Sequence, residues 1–394
     1  MKSEWKYQTI ADVCKVVTDG SHYSPQSVQE GKYMVSVKDF TEYGFDFSGC
    51  RQISEQDYER LKEGGCVPEY NDILIGKDGA RYFEDIILYR QPEKPAVLSS
   101  IAILRCNEDK IMPEFLYYLL KTPFIQKNIK DNYGSGSAIP RIVLKDFRRM
   151  PVRYPDIKTQ KKIVSILKCI DEKVQVNLKI NKNLEQQAKA LVEEYCASTD
   201  SEVTLGSIMN FVNGFAFQSK CYQKAGKYRV VTIKNVQDGK IDTQGTAYIN
   251  EVPTKMKDEC YLQTGDILLS LTGNVGRVGI VFEHNLLLNQ RVAKFTSSKN
   301  ILPLLYFFFR LPETKVSLET IAKGTAQQNL SPIETLKLSF PYDEDKAAVL
   351  SQTLKPMFDS IVHNNAESSE LAQLRDSLLP KLLSGELDVS EIDL

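Results

Sequence analysis

The sequence predicts an α+β chain in which two similar globular domains are separated by two long helices that pair as a coiled coil. Three observations carry this. From Asp156 to Ser198, Ile163, Ile170, Asn177, Leu184 and Leu191 recur every seven residues, with Leu167, Val174, Asn181, Ala188 and Tyr195 four places later, the spacing of a coiled-coil seam. The same seam returns from Asp343 to Leu383, as Leu350, Met357, Asn364, Leu371 and Leu378, with Leu354, Ile361, Ser368, Arg375 and Leu382 beside them. The segments that precede the two helices also repeat each other. One such helix alone would equally suit a face packed on a globular core; two that match over five layers favour pairing. Asn177 and Asn364 each occupy a middle layer, where a buried polar residue costs stability but fixes register and partner number. The seam itself leaves the direction of pairing open.

Taken in order, the expected segments are a globular domain over 1–155, a helix over 156–198, a second globular domain over 199–342, and a helix with a tail over 343–394. Val35-Ser-Val-Lys-Asp39 answers Val231-Thr-Ile-Lys-Asn235, each a buried strand running into a polar turn. Asn71-Asp-Ile-Leu-Ile75 answers Gly265-Asp-Ile-Leu-Leu269, a turn feeding an Ile/Leu strand. Ile111-Met-Pro-Glu-Phe and Ile301-Leu-Pro-Leu-Leu open helices with proline in the first turn. Gly136-Ser-Ala-Ile-Pro-Arg-Ile142 answers Gly324-Thr-Ala-Gln-Gln-Asn-Leu330 just before each long helix. The seam from Ile163 to Tyr195 would make a rod about 50 Å long at 1.5 Å per residue, a spacer between two acting points.

Composition is globular. The chain has 394 residues, enough for two or three domains. Its longest apolar runs, such as Leu302 to Phe309, are far short of the ~20 residues of a membrane span, so no membrane partner is expected. The start, MKSEWKYQTI, has no apolar signal-peptide core, which predicts a cytoplasmic protein. Eight cysteines lie scattered without a CxxC pair, against a zinc site or a disulfide framework. The net charge of −1 hides an acidic tail, with 4 basic against 11 acidic residues in 343–394 and 46 against 40 before it. From Lys121 to Arg153, Lys121, Lys127, Lys130, Arg141, Lys145, Arg148, Arg149 and Arg153 face only Asp131 and Asp146, either a phosphate-facing patch or a solvated face.

Motifs for chemistry are missing. The three histidines, His22, His284 and His363, have no second ligand at metal spacing, so no metal is expected. The GSGSA at 134–138 lacks the GK[ST] of a phosphate loop, and no G-x-S-x-G or HExxH occurs. Asp72 with Lys77 lacks the second acid of a metal nuclease, and Asp266 lacks the lysine as well. Two similar domains with differing loops on a rigid spacer suit recognition of a two-part target. DNA is the natural candidate, because polar loops read base identity while a rod fixes half-site spacing.

The chain resembles the specificity subunit of a type I restriction-modification enzyme over essentially its whole length. The most specific match is Leu374-Arg-Asp-Ser-Leu-Leu-Pro-Lys-Leu-Leu-Ser-Gly-Glu-Leu387, similar to that family's distal conserved helix. Asn213-Gly-Phe-Ala-Phe-Gln-Ser219, the Gly-Asp-Ile-Leu segment, Leu288-Asn-Gln-Arg-Val292 and Gly324-Thr-Ala-Gln-Gln-Asn-Leu330 support it. Thr18-Asp-Gly-Ser-His-Tyr-Ser-Pro25 looks like a variant start of the first recognition domain, which departs from the pattern at Ser99-Ser100 and at Ile139-Pro-Arg141. The resemblance implies target recognition domains and antiparallel helix pairing. It implies double-stranded DNA, two modification (methyltransferase) subunits and restriction/translocase subunits as partners, with S-adenosylmethionine, ATP and Mg on those partners and no cofactor in this chain.

The expected function is then a non-catalytic, sequence-specific DNA-binding subunit that reads a bipartite asymmetric target and directs methyltransferase and restriction subunits to it. The candidate contacts in the second domain are Lys234, Asn235, Thr272, Asn274, Arg277, Gln290, Arg291, Gln327, Gln328 and Asn329. In the first they are Ser21, His22, Lys38, Lys77, Arg81, Ser99, Ser100, Ser137 and Arg141. Arg, Gln and Asn offer the paired donors and acceptors that distinguish guanine from adenine, while Lys anchors phosphate. Two other readings stay open: a coiled-coil adaptor for proteins alone, and a nuclease or methyltransferase with an unfamiliar site.

Overall fold

Ile73, Leu74 and Ile75 lie on one strand, and the two-residue period of a strand sends their side chains to opposite faces. Ile73 and Ile75 meet Phe115 and Leu116 of a helical layer. Leu74 meets Val35, Ile87 and Tyr89 on the other side. That division, a sheet with helices on one face and a second sheet on the other, organises both halves of the chain. The computed structural model describes residues 5–134, 140–322, 328–390 and 392. It comprises two compact units, Met1–Asp171 with Ala372–Leu394, and Glu172–Leu371.

The first unit runs β1 (Lys6–Thr9), α1 (Ile10–Val13), β2 (Cys14–Asp19), β3 (Lys32–Val35), β4 (Phe40–Thr41), β5 (Gly44–Phe45), β6 (Arg51–Ile53) and α2 (Glu55–Glu63). It continues through β7 (Ile73–Gly76), β8 (Ile86–Leu88), β9 (Ala96–Val97), β10 (Ile101–Cys106), α3 (Pro113–Lys121), α4 (Pro123–Tyr133), α5 (Leu144–Arg149) and β11 (Pro151–Tyr154) into α6 (Ile157–Ala197). The strands form an antiparallel sheet in the order β2-β10-β7-β8, a smaller sheet β6-β3-β9, and the ribbon β1-β11. Proline stands at the start of α3 and of α4, where its missing N–H costs nothing.

The second unit repeats this plan. It comprises β12 (Glu202–Thr204), β13 (Asn210–Asn213), β14 (Tyr228–Val231), β15 (Gly239–Lys240), β16 (Ala247–Ile249), β17 (Tyr261–Leu262), β18 (Ile267–Ser270) and β19 (Val278–Ile280). Then come β20 (Leu286–Leu288), β21 (Val292–Thr296), α7 (Leu302–Phe308), α8 (Pro312–Ile321), α9 (Pro332–Leu336), β22 (Ser339–Pro341) and α10 (Glu344–Ser384). Its sheets are β13-β21-β18-β19-β15, β16-β14-β20-β17 and the ribbon β12-β22. Register confirms the repeat: Ile101 opposes Gly76 and Ala102 opposes Asp19, as Val292 opposes Ser270 and Ala293 opposes Asn213.

Both long helices have carboxylate caps. Asp156 accepts from the Thr159 amide at 3.0 Å and Asp343 from the Lys346 amide at 2.9 Å, satisfying amides that the first turn leaves unpaired. At the far end, Gly385 has φ +75° and the Leu387 amide returns to the Lys381 carbonyl, a left-handed stop that glycine tolerates best. A Cβ there would also sit 2.8 Å from the Trp5 ring nitrogen.

Within each unit the long helices run antiparallel. In the first, Ile163, Val164 and Leu167 share a core with Leu379, Leu382 and Leu383, and Arg375 donates to Asp171 at 2.8 Å. In the second, Asn177 Nδ2 reaches Glu367 at 2.8 Å and Ser368 at 3.2 Å, and Asn364 Nδ2 reaches Asn181 at 2.8 Å. Numbers rising along α6 meet numbers falling along α10. Ile163, Leu167, Ile170, Val174, Asn177, Leu354 and Ile361 are buried, and Leu184, Leu191, Leu350, Met357, Asn364, Leu371 and Leu378 are half-buried. The buried face is wider than the seam, taking in Val192, Phe358 and Val362, because each unit also packs its own core on the helices. Compact packing accordingly divides at Asp171/Glu172 and Leu371/Ala372, inside the long helices.

Candidate nucleic-acid interface

In each unit four segments distant in sequence meet beyond the ends of the central strands. In the second, β13 runs out into Gly214-Phe215, where the Phe215 amide reaches Leu288 O at 2.9 Å and the Gln290 amide reaches Phe215 O at 3.1 Å. The strand β18 runs into Leu271-Thr272-Gly273, which bonds Arg291 O from Leu271 N at 3.1 Å and Gln328 O from Gly273 N at 3.1 Å. Thr272 and Asn329 form an isolated bridge. The backbones pack so closely that a Cβ on Gly214 would lie 2.2 Å from Asn289 O.

The first unit builds the same junction. Ser99 N bonds Ser21 O at 2.9 Å, Lys77 N bonds Ser100 O at 2.8 Å, Gly79 N bonds Pro140 O at 3.0 Å, and Asp78 bridges Arg141. A Cβ on Gly20 would lie 2.2 Å from Val97 O. Ser21, Lys77, Ser99, Ser100 and Arg141 therefore gather in one cluster with His22, as Thr272, Asn274, Gln290, Arg291, Gln328 and Asn329 gather in the other. Ser137 and Gln327 lie outside the described residues.

The clusters differ in what they present. His22 and Arg141 are exposed in the first, and Ser99 and Ser100 half-exposed; Asn274, Gln290, Arg291, Gln328 and Asn329 are exposed in the second. Lys38 and Lys234 are exposed on equivalent turns. Arg81 is exposed but engaged with Asp85 at 2.7 Å, and Arg277 is half-buried and donates to Gln237 at 2.9 Å.

Four candidate contacts hold the loops instead. Asn235 is buried, accepting from the Thr232 amide and hydroxyl at 2.8 Å and donating to Asp242 O at 2.9 Å. Asp39, its counterpart, holds Ser36 in the same way. The Ser21 hydroxyl closes a turn with Tyr23. Lys77 is buried between Asp19 at 3.4 Å and Asp78 at 3.5 Å, and Thr272 is buried at its bridge. Asn235 and Ser21 find partners within their own turns before any ligand can, while the Lys77 ammonium is held by the two carboxylates.

The structure adds Asp19 and Asp78 to the first cluster and Asn213 and Asn289 to the second. Carrying the repeat alignment three residues beyond the matched fragments that end at Ile75 and Leu269 would have found Asp78 opposite Thr272. The basic run from Lys121 to Arg153 is largely spent inside the unit. Lys127 pairs with Asp131 at 2.9 Å, Lys130 with Glu84 at 2.6 Å, and Arg153 stacks on Trp5 and Tyr7. Asp72, which a nuclease reading would need, is fully buried and bonded by Arg105 at 2.9 and 2.8 Å. Among the described residues no helix is long and apolar enough to cross a membrane.

A family model described as the type I restriction modification DNA specificity domain matches residues 2–186 and again 199–372. The MjaIX specificity subunit of a type I restriction enzyme from Methanocaldococcus jannaschii is 26% identical over 72% of this chain and 71% of its own length. The HindI specificity subunit from Haemophilus influenzae is 20% identical over 98% of this chain and 100% of that protein. The crystal structure of the type I restriction-modification S subunit from M. genitalium shares the fold with a TM-score of 0.55. It is 18% identical and covers 97% of this chain and 96% of that one.

Proposed function

This chain belongs to the type I restriction-modification DNA specificity family, carrying that family's domain twice, and from that premise we propose that its two loop clusters read two different half-sites of one DNA target. The chain is a specificity subunit, a non-catalytic part of its enzyme. The observation that supports the split reading is the repeated junction with unlike side chains. Where the first cluster has Asp19, Lys77 and Asp78, the second has Asn213, Leu271 and Thr272 at the equivalent positions.

In this reading Gln290, Arg291, Gln328, Asn329 and Asn274 supply base-edge donors and acceptors in the second domain. His22, Ser99, Ser100 and Arg141 do so in the first. Lys38 and Lys234 lie on exposed turns and serve phosphate, which positions the duplex without reading it. Two methyltransferase subunits and the restriction/translocase subunits would carry S-adenosylmethionine, ATP and magnesium, and the complex would work in the cytoplasm. The exposed apolar side chains Val176 and Ile180 of α6, one helical turn apart, support docking of a partner along the rod.

The test is methylation mapping in a host given this chain with its neighbouring methyltransferase subunit. A motif of two unlike half-sites around a fixed gap is expected. A continuous motif made by an active partner would refute the split reading.

A further inference from the structure

The bridge between Asp78 and Arg141 sets two opposite charges side by side at the first junction. Gly79 N bonds Pro140 O at 3.0 Å on one side of it, and Ile142 N bonds Lys77 O at 3.0 Å on the other. That pattern makes Asp78 and Arg141 a non-hydrogen-bonded antiparallel pair, whose Cα atoms stand about 4.5 Å apart and whose side chains leave on one face. The second unit keeps the frame, with Gly273 N to Gln328 O at 3.1 Å and Leu330 N to Leu271 O at 2.7 Å around Thr272 and Asn329. It keeps neither charge.

Among the described residues neither charge is spent on the other. Asp78 Oδ1 is buried without a hydrogen bond, and its neighbour is the Lys77 ammonium at 3.5 Å. The Asp78 side chain is nevertheless 30% exposed, so its accessible surface lies on atoms other than Oδ1. Lys77, itself shared with Asp19 at 3.4 Å, backs the carboxylate, and Arg141 is exposed. A carboxylate facing a duplex is repelled by every phosphate and gains only where a base edge offers a donor. In the major groove those donors are the N4 amino group of cytosine and the N6 amino group of adenine. The guanidinium across the bridge needs two adjacent acceptors for its fork, which guanine O6 and N7 present. An A·T pair sets its amino donor between N7 and O4 and offers no such couple. The base pair that satisfies both side chains is C·G.

We propose that Asp78 and Arg141 act as one reader of a single C·G pair in the first half-site, Asp78 accepting from cytosine N4 and Arg141 donating to guanine O6 and N7. The proposal rests on the reading of this junction as a DNA interface. The uncharged bridge of Thr272 and Asn329 lacks this pair of contacts, so the second half-site follows a different rule at the matching place.

The test maps methylation in a host given the full chain with its neighbouring methyltransferase subunit, comparing the parent with Asp78→Asn, Arg141→Ala and the double variant. Exchange of residues 199–342 first identifies the half-site that the first domain reads, as the half left unchanged. That half should contain a required C·G pair. Asn at position 78 keeps the size of the side chain but donates as well as accepts, so it no longer rejects an acceptor at that place. Asp78→Asn and Arg141→Ala should each relax the requirement at this one pair by about tenfold or more in relative modification rate. The double variant should relax the same pair and no other, with the thermal midpoint held. A first half-site without a required C·G pair would overturn the proposal. So would single variants that relax two different pairs, that leave every preference intact, or that weaken modification at all sites equally, the mark of a purely structural role. Exchange that changes both halves or neither would overturn the split reading itself, whatever the variants do.

Discussion

Replacing Asp171 by Asn should destabilise the first unit by about 2–3 kcal/mol. Asp171 is 6% exposed and accepts from Arg375 Nη1 at 2.8 Å and from the Tyr118 hydroxyl at 2.7 Å. It thereby ties α6, α10 and α3 together. Removing one partner of a buried ion pair costs about 3–5 kcal/mol because the other charge is stranded. Here the loss is smaller, since Asn still accepts from Tyr118 and Arg375 keeps Asp376 at 2.9 Å. With an m-value of about 2 kcal/mol/M in urea, the midpoint should fall by about 1 M. The chain's single tryptophan, Trp5, packs against the first unit's core with its ring 6.4 Å from that of Phe115, so its fluorescence follows this unit alone. Tyr118→Phe should cost about 1–2 kcal/mol, and the two changes together less than their sum, because they share one carboxylate. Replacing both Asp171 and Arg375 by Leu in the Tyr118→Phe background, which leaves no hydroxyl stranded, should come within about 1 kcal/mol of the parent, or above it. An unchanged midpoint in the Asp171→Asn chain would refute the claim that this pair anchors the helices.

Further outcomes follow from the same contacts. Burial, then the charge of Asp171, holds the Tyr118 hydroxyl well above its ordinary value near 10. Below about pH 10 folded and unfolded chains both keep that proton; above it only the unfolded chain releases it. The parent should therefore lose up to about 1.4 kcal/mol per pH unit relative to Tyr118→Phe in alkaline urea titrations. Gly214→Ala should strain the second junction by about 1–3 kcal/mol, lowering the thermal midpoint and the DNA affinity of the assembled complex. Arg291→Ala should cost about 1–3 kcal/mol of discrimination at one base pair of one half-site. Lys234→Ala should weaken binding to all sequences alike and reduce the slope of log affinity against log salt by about one, measured by titration at several salt concentrations.

Much of the architecture was legible because it is periodic. The heptads located both long helices to within a residue of their observed ends, and the matched fragments before them fall on equivalent strands, β3 with β14 and β7 with β18. Gathering of candidate contacts into two clusters was foreshadowed by the repeat, since the matched fragments ending at Ile75 and Leu269 run on into equivalent junctions. What was illegible was which polar group a neighbour would claim. Asn235 and Ser21 have the same chemistry as base-reading residues, and only the backbone path shows their bonds closing turns. Lys127 and Lys130 form a basic run on paper, but helix spacing and the loop at Glu84 set a carboxylate beside each. The Asp171–Arg375 pair joins residues 204 positions apart, a partnership that composition cannot reveal.

The most direct test of two independent readers is to exchange residues 199–342 for the corresponding segment of another specificity subunit and map methylation again. One half of the motif should change, with the other half and the gap between them kept. Change in both halves, or in neither, would contradict the account.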